Sequence, residues 1–447
     1  MKREAKIMHE MTPQEDYVIN TVNSRDVHFI RCWFVDVLGQ AKSLAIVPNE
    51  LERAFDIGIP LDGNCIAGFE SQNEADIIAW PDASTFQILP WRPDEKCVAR
   101  MFCVTKNPDG TPYESDSRYI LSNVLKKASE KGYLVNIKPE IEFFYFQNKE
   151  KPLPLDIGSS FDLTSLDSAS DLRRDTVLTL ESVGIPVQYS HHERGPSQNE
   201  VELRTTDAMS MADSVLTYKL AVKEVASKHG VYASFMPKPL QDQPGNSMHL
   251  HIHLTDEDGK SVFYDENNES EYKLTEVARQ FMAGILKYAK EFCLVTNQYQ
   301  NSYKRLISEA CKSDKIAWSR HNQHTMVRLP GYRPETEEGS RIEIRNPDPA
   351  CNPYLAFAVI INAGLAGIDE KLKLEDPKEN ATDVAKNCMK LPRTLGEALC
   401  EFENSKLMKE TLGDHIFNYL VRVKSAEWEK EISVITEHEL NDYLAVL

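Results

Sequence analysis

The sequence predicts an α+β protein, on three observations. Short strands recur along the chain in which side chains of one chemistry stand at every second position, and helical stretches separate them. Glycine and proline punctuation gathers the first of these strands around a single short helix, as in a small α+β unit. Neither a G-x-x-x-x-G-K-[ST] loop nor a Rossmann glycine fingerprint occurs, so nothing marks a doubly wound parallel sheet.

Residues 14–23 read as a short helix, Val27–Val35 as a buried strand, Asp36–Gln40 as a hairpin turn and Ala41–Val47 as a second strand. An amphipathic helix begins near Pro48, a polar loop follows it, and Phe86–Leu89 and Val98–Val104 add further strands. The run Asn107-Pro108-Asp109-Gly110-Thr111-Pro112 is the strongest break in the first third. It divides the chain into a first domain, 14–107, and a second, 113–447, which opens with a helix over about Arg118 to Lys131 closed by Gly132.

Composition narrows the function. Among 447 residues, Lys plus Arg number 51 and Asp plus Glu 69, a formal charge of -18. Such a surface does not displace the counterions of a nucleic acid, so no nucleic-acid partner is expected. No apolar run is long enough for a membrane span, and the segment Met1–Lys6 leads into polar sequence, so the expectation is a cytoplasmic protein with no membrane partner. The nine cysteines are scattered without a C-x-x-C pair, which argues against a disulfide framework or a zinc cage.

The chemistry sits on four stretches. In Met248–His253 the period of two puts His249, His251 and His253 on one face after the turn Pro244-Gly245-Asn246-Ser247. In Lys138–Phe146, Glu140 and Glu142 share a face of an otherwise aromatic strand, where carboxylates are costly unless a cation meets them; an edge strand with two solvated Glu is the plainer alternative. His191–Arg204 places Glu193, Glu200 and Glu202 around a turn and at the start of a strand. Ser340–Arg345 aligns Arg341, Glu343 and Arg345 as a clamp for phosphate or carboxylate, or equally as a cross-strand ion-pair ladder. Oxygen-rich sites with few His suit Mg2+ or Mn2+ better than zinc.

These stretches, with Ser234–Pro239, Asn301–Leu306 and Pro347–Ala356, resemble a type I member of the glutamine synthetase family over nearly the whole chain. The resemblance implies an N-terminal β-grasp domain, a catalytic domain with a curved antiparallel sheet, and a homo-oligomeric ring, usually a dodecamer, with active sites between neighbouring subunits. The C-terminal stretch ending Leu440–Leu444 is similar to the segment that ties two rings together. Carried over by position, Glu142, Glu193 and Glu200 hold one divalent ion and Glu140, His249 and Glu343 a second, within a set of two or three Mg2+ or Mn2+ per site. Arg305 and Arg345 bind glutamate or stabilise the phosphoryl group, Gly245 lies on the glutamate side, and His251, Arg328 and Arg341 face the ATP. Asp62 and Glu309 serve the amine. The implied reaction activates the γ-carboxylate of L-glutamate with ATP and condenses it with an amine.

Departures from the family pattern fall at four places. Asp62-Gly63-Asn64-Cys65 replaces Asp-Gly-Ser-Ser but keeps the acid. Pro244 stands where an amide contacts glutamate, and Gln323 where an arginine faces phosphate. Ungapped, Cys311 takes the position of the flap glutamate; a two-residue slip restores Glu309. These changes favour an organic amine over ammonia, with ordinary glutamine synthesis from ammonia as the alternative and a non-catalytic ring as the third reading.

Overall fold

The computed structural model describes residues 10–69, 76–92, 96–163, 165–268, 272–308, 313–330, 341–380, 382, 384 and 387–447. The first sheet is built from β1 (Val27–Val35), β2 (Ala41–Ile46), β3 (Ile59–Asp62), β4 (Asp76–Pro81), β5 (Gln87–Ile88) and β6 (Cys97–Lys106). Its order is β2-β1-β6-β4-β3 with β5 on β6; β1 and β6 run parallel, and the other pairs are antiparallel. Helix Pro13–Ser24 covers one side, opened by a capping box between Thr12 and Glu15. The expected polar loop after the second helix holds β3 and β4. Pro60 and the shortness of β3 conceal it, and β4 shows only as the apolar run Ile77–Trp80. The helix expected at Pro48 starts as a 3-10 turn, Pro48–Glu50, before helix Leu51–Ile57.

The second sheet comprises β7 (Leu134–Phe146), β8 (Val187–His192), β9 (Gln198–Leu203), β10 (Thr206–Asp207), β11 (Tyr232–Ser234), β12 (Met248–Thr255), β13 (Trp318–Ser319), β14 (Val327–Arg328) and β15 (Ile342–Ile344). The order is β13-β14-β15-β12-β7-β9-β8, antiparallel except for the short outer pair β13 and β14. Ile141, Phe143 and Tyr145 turn one face of β7 into the core, where Tyr218 of helix Ala208–Lys228 donates to the Ile141 carbonyl at 3.1 Å. Glu140 and Glu142 therefore face the other way, because side chains alternate along a strand. Helix Pro353–Asp369 is apolar around its circumference and buried for nearly its whole length, as a central core helix must be.

The two sheets meet at the start of that helix. Asn352 caps it and donates to the carbonyls of Asp36 and Val37, in the turn joining β1 to β2. Gly39 in that turn has φ +82°, and a Cβ there would stand 2.7 Å from the Asn352 Cα. Arg118 reinforces the junction, paired with Asp213 at 2.8 Å and with Asp82 of the first domain at 3.1 Å. At the other end of the chain, helix Glu437–Tyr443 leaves Leu440, Tyr443 and Leu444 exposed in one chain.

Candidate active site

Strand register assembles the site. Across β7 and β12 His249 faces Glu140, and across β7 and β9 Glu200 faces Glu142. Across β12 and β15 His251 faces Glu343, which in turn faces Arg328 across β14 and β15. A slip of one residue in any pairing would turn the carboxylates to the opposite face, so the apolar face that anchors the core also fixes the polar one.

Of the four groups of potentially metal-ligating atoms among the described residues, two hold the expected ligands; the others are Asp156 with Asp167 and His192, and His191 with Glu200 and Glu202. One atom each from Glu142, Glu193 and Glu200 lie within 4.8 Å of one another, and so do atoms from Glu140, His249 and Glu343. All six residues line one cavity of about 480 Å³, with Gly245, Arg305, Arg328 and Arg345. The donors are carboxylate oxygens and one imidazole, a set that fits Mg2+ or Mn2+.

Electrostatics supports that fit. Burial and then the charge of Glu193 push the Glu142 carboxyl up to about 8, and burial with Glu140, Glu142 and Glu193 pushes Glu200 well above the usual carboxylate range. Acids so placed hold protons unless a cation takes their place. Burial also opposes ionisation of Glu193, but His191 at 2.9 Å outweighs it and brings that carboxyl below its ordinary value. In the second group burial is likewise overcome: His251 and His249 hold Glu140 well below its ordinary value, and Arg345, His251, His249 and Arg328 lower Glu343. Burial and the charge of Arg345 lower His249, leaving the neutral ring that a metal requires.

The remaining expected residues divide by position. Arg328 Nε donates to Glu343 at 2.8 Å and Arg345 to the other oxygen of the same carboxylate. Arg305 is 1 % exposed and directs its guanidinium to Ser247 Oγ at 2.9 Å and to the carbonyls of Asn346 and Pro347. A Cβ on Gly245 would sit 2.3 Å from the Pro237 carbonyl and 2.8 Å from Arg305 Cγ, so only glycine fits beside that arginine. His251, two residues along the same strand face from His249, is not among the cavity-lining residues; it bonds Glu140 at 2.6 Å, and its Nδ1 accepts from Arg341 Nε at 3.2 Å. His253 pairs with Ser261 at 2.8 Å. Asp62 is exposed at the end of β3 and is not among the residues lining this cavity in one chain. Glu309 and Cys311 lie outside the described residues.

Sequence reasoning missed several residues of the site. Ser247 donates its backbone N–H to Glu142 at 2.6 Å, and Gln198 bonds both Glu142, at 3.2 Å, and the Gly245 carbonyl, at 3.1 Å. Phe161 lines the cavity with φ +66° and stacks on His191 at 4.9 Å between ring centroids. His192 is buried between the Glu193 carbonyl at 2.6 Å and Asp156 at 3.1 Å; burial opposes its charge, but the Asp156 carboxylate raises its proton affinity above the ordinary value.

The sequence profile of the glutamine synthetase catalytic domain matches residues 114–443, and that of the glutamine synthetase β-grasp domain matches residues 26–108. The chain belongs to the glutamine synthetase family. It is an ATP-dependent ligase of nitrogen metabolism, with the β-grasp and catalytic domains of that family. It is 44% identical over 449 residues to a glutamine synthetase of Mycolicibacterium smegmatis, covering 98% of this chain and 100% of that protein. Against a glutamine synthetase of Methanosarcina mazei the identity is 42%, covering 98% and 99%. Among solved structures, a GmaS/ADP complex superposes with a TM-score of 0.88 at 28% identity, covering 96% of this chain and 99% of the other. A Plasmodium falciparum glutamine synthetase shares the fold with a TM-score of 0.89 at 21% identity, covering 98% and 100%. Members of the family act on glutamate and an amine or ammonia, use ATP with divalent metal, and are typically oligomeric. No helix among the described residues is long and apolar enough to cross a membrane.

Proposed function

We propose that the protein makes glutamine from glutamate, ATP and ammonia. The observation that carries this reading is the pair of three-donor groups sharing one cavity with Arg305, Arg328 and Arg345. Glu142, Glu193 and Glu200 would hold one divalent ion, and Glu140, His249 and Glu343 another. Bound there, the ions supply Lewis-acid neutralisation of phosphate charge. His251, backed by Arg341, orients Glu140, while Arg328 and Arg345 fix Glu343 and offer remaining N–H donors to the cavity. Arg305 anchors Ser247 and, beside Gly245, shapes the glutamate end.

In the first step a γ-carboxylate oxygen bonds to the terminal phosphorus of ATP and ADP leaves. In the second the amine nitrogen bonds to the acyl carbon, phosphate leaves, and a surplus proton passes to a carboxylate. Asp62 and Glu309 are proposed for that task. Because Asp62 lies away from the cavity within one chain, a neighbouring subunit would supply it, as in a ring, and we propose a dodecamer.

The departures at Pro244 and Gln323, both lining the cavity, favour an organic amine as acceptor. Relatives named glutamine synthetase at 42–44% identity over the whole chain weigh more and move the preference to ammonia. The full set of six metal donors counts against a non-catalytic ring. Phosphate release from ATP, glutamate and Mg2+ should saturate with ammonium at low millimolar levels. Turnover with alkylamines or polyamines but none with ammonium would overturn the ammonia reading and establish its alternative.

A further inference from the structure

Glu193 projects from the turn between β8 and β9, a segment with only short strands to steady it. Its backbone is held on both sides: its N–H donates to the Gln198 carbonyl at 2.7 Å, and its carbonyl accepts from His192 Nδ1 at 2.6 Å. The His192 ring in turn rests on Asp156, a residue outside the sheet whose side chain is 3 % exposed. Asp156 Oδ1 accepts from Ser197 N at 2.7 Å, Ser197 Oγ at 3.2 Å and Gly158 N at 3.4 Å, and Oδ2 accepts from Ser168 N at 3.0 Å. Ser197, at the far end of the turn, has φ +56° and uses its Oγ to accept from Leu155 N at 2.6 Å and Asp156 N at 2.9 Å. A left-handed conformation at a non-glycine residue costs on the order of 1 kcal/mol and persists when its surroundings enforce it.

The same carboxylate seats the segment that reaches the cavity mouth. A Cβ on Gly158 would lie 2.8 Å from His192 Nε2, so the chain passes tightly over the ring. Three residues on, Phe161 N donates back to the His192 carbonyl at 3.1 Å, and Ser160 and Phe161 line the cavity. One buried acid thus ties together both ends of the Glu193 turn and the 157–162 segment above it. Residues that orient a metal ligand commonly change metal affinity by about 10–100-fold when removed.

We propose that Asp156 is a positioning residue which, through His192 and Ser197, sets the place of Glu193 and thereby the affinity of the Glu142–Glu193–Glu200 group for its cation. The inference rests on the reading of that group as a cation site. The Glu140–His249–Glu343 group has no bond to this network among the described residues, and its affinity is expected to stay near wild type.

The test is Mn2+ binding to the full-length protein, followed by electron paramagnetic resonance of the free ion. Wild type, Asp156→Asn, Ser197→Ala and the direct control Glu200→Gln are compared, with thermal unfolding recorded for each. Wild type should bind at two or more places per chain, and Glu200→Gln should lose one of them. Asp156→Asn should weaken that same place by tenfold or more, leave the other unchanged, and raise the Mn2+ needed for half-maximal activity without changing KM for ATP. Ser197→Ala, which removes the hydroxyl and keeps the backbone, should weaken it about threefold, and it decides the matter if Asp156→Asn does not fold. Wild-type affinity at both places in a folded Asp156→Asn, or in Ser197→Ala where Asp156→Asn fails to fold, would overturn the proposal. Absence of Mn2+ binding in wild type would instead overturn the cation-site reading beneath it.

Discussion

The two groups proposed to hold cations occupy one cavity but solve the problem of buried negative charge differently. Around Glu140, His249 and Glu343 the protein supplies its own cations, so both carboxyls sit below their ordinary values despite burial. Around Glu142, Glu193 and Glu200 it supplies little, and two of the three acids are pushed up. The first group is charge-compensated by the protein itself; the second would be completed by an ion. An ion entering there would displace protons as well as water, so its binding would be coupled to pH.

The largest expected effect comes from removing one acid from each group. Glu343→Ala leaves Arg328 and Arg345 facing His249 without their shared carboxylate, and should destabilise the metal-free protein by about 3 kcal/mol. Glu200→Gln removes a buried acid that lacks a compensating cation, and should leave metal-free stability unchanged or higher while lowering turnover by about 100-fold or more. Thermal unfolding in the presence of a chelator checks the sign; equal destabilisation by both substitutions would erase the distinction between the groups.

The next effect is on pH. Native Glu142 holds its proton up to about 8, whereas an unfolded glutamate releases it near 4.5. Between those values the native state binds more protons, so metal-free stability should fall as pH rises through that window. Mn2+ or Mg2+ should reverse the trend, with affinity rising up to about pH 8 and levelling above it. At about 100 times Kd the ion should add about 2.7 kcal/mol. Calorimetry in buffers of different ionisation enthalpy would count the protons released; none released between pH 6 and 8 would contradict the shift.

The smallest expected effect is at Ser247, where Ser247→Ala removes the acceptor for Arg305 Nη1 but keeps the backbone donor to Glu142. A loss of about 1 kcal/mol, read as a several-fold rise in KM for glutamate with kcat little changed, is expected. A fall in kcat of the size seen for Glu200→Gln would mean that Arg305 acts on the reaction itself.

The candidate site was legible wherever it depends on alternation within one strand. Glu140 and Glu142 among aromatics, and His249 with His251, declared their face locally, because a strand repeats every two residues. Asp156, Gln198 and Ser247 did not, since their partners are distant: Asp156 meets Ser197 across 41 residues, Gln198 meets Glu142 across 56 and Ser247 meets Glu142 across 105. In the fold, β3 hid inside an apparent loop because four residues, Pro60 among them, carry too few alternations to be read, and β4 hid because Ile77, Ile78, Ala79 and Trp80 do not alternate.

The sequence by itself determined the α+β class, the acidic surface, the strand faces that carry carboxylates and histidines, and the resemblance that the family match bears out. Only the tertiary structure decided how those faces register against each other, which acids gain a cationic neighbour, and which buried residue steadies the turn beneath Glu193. Side-chain alternation is a property of a single strand, whereas burial and charge compensation arise only when strands remote in the chain exclude water from the same place.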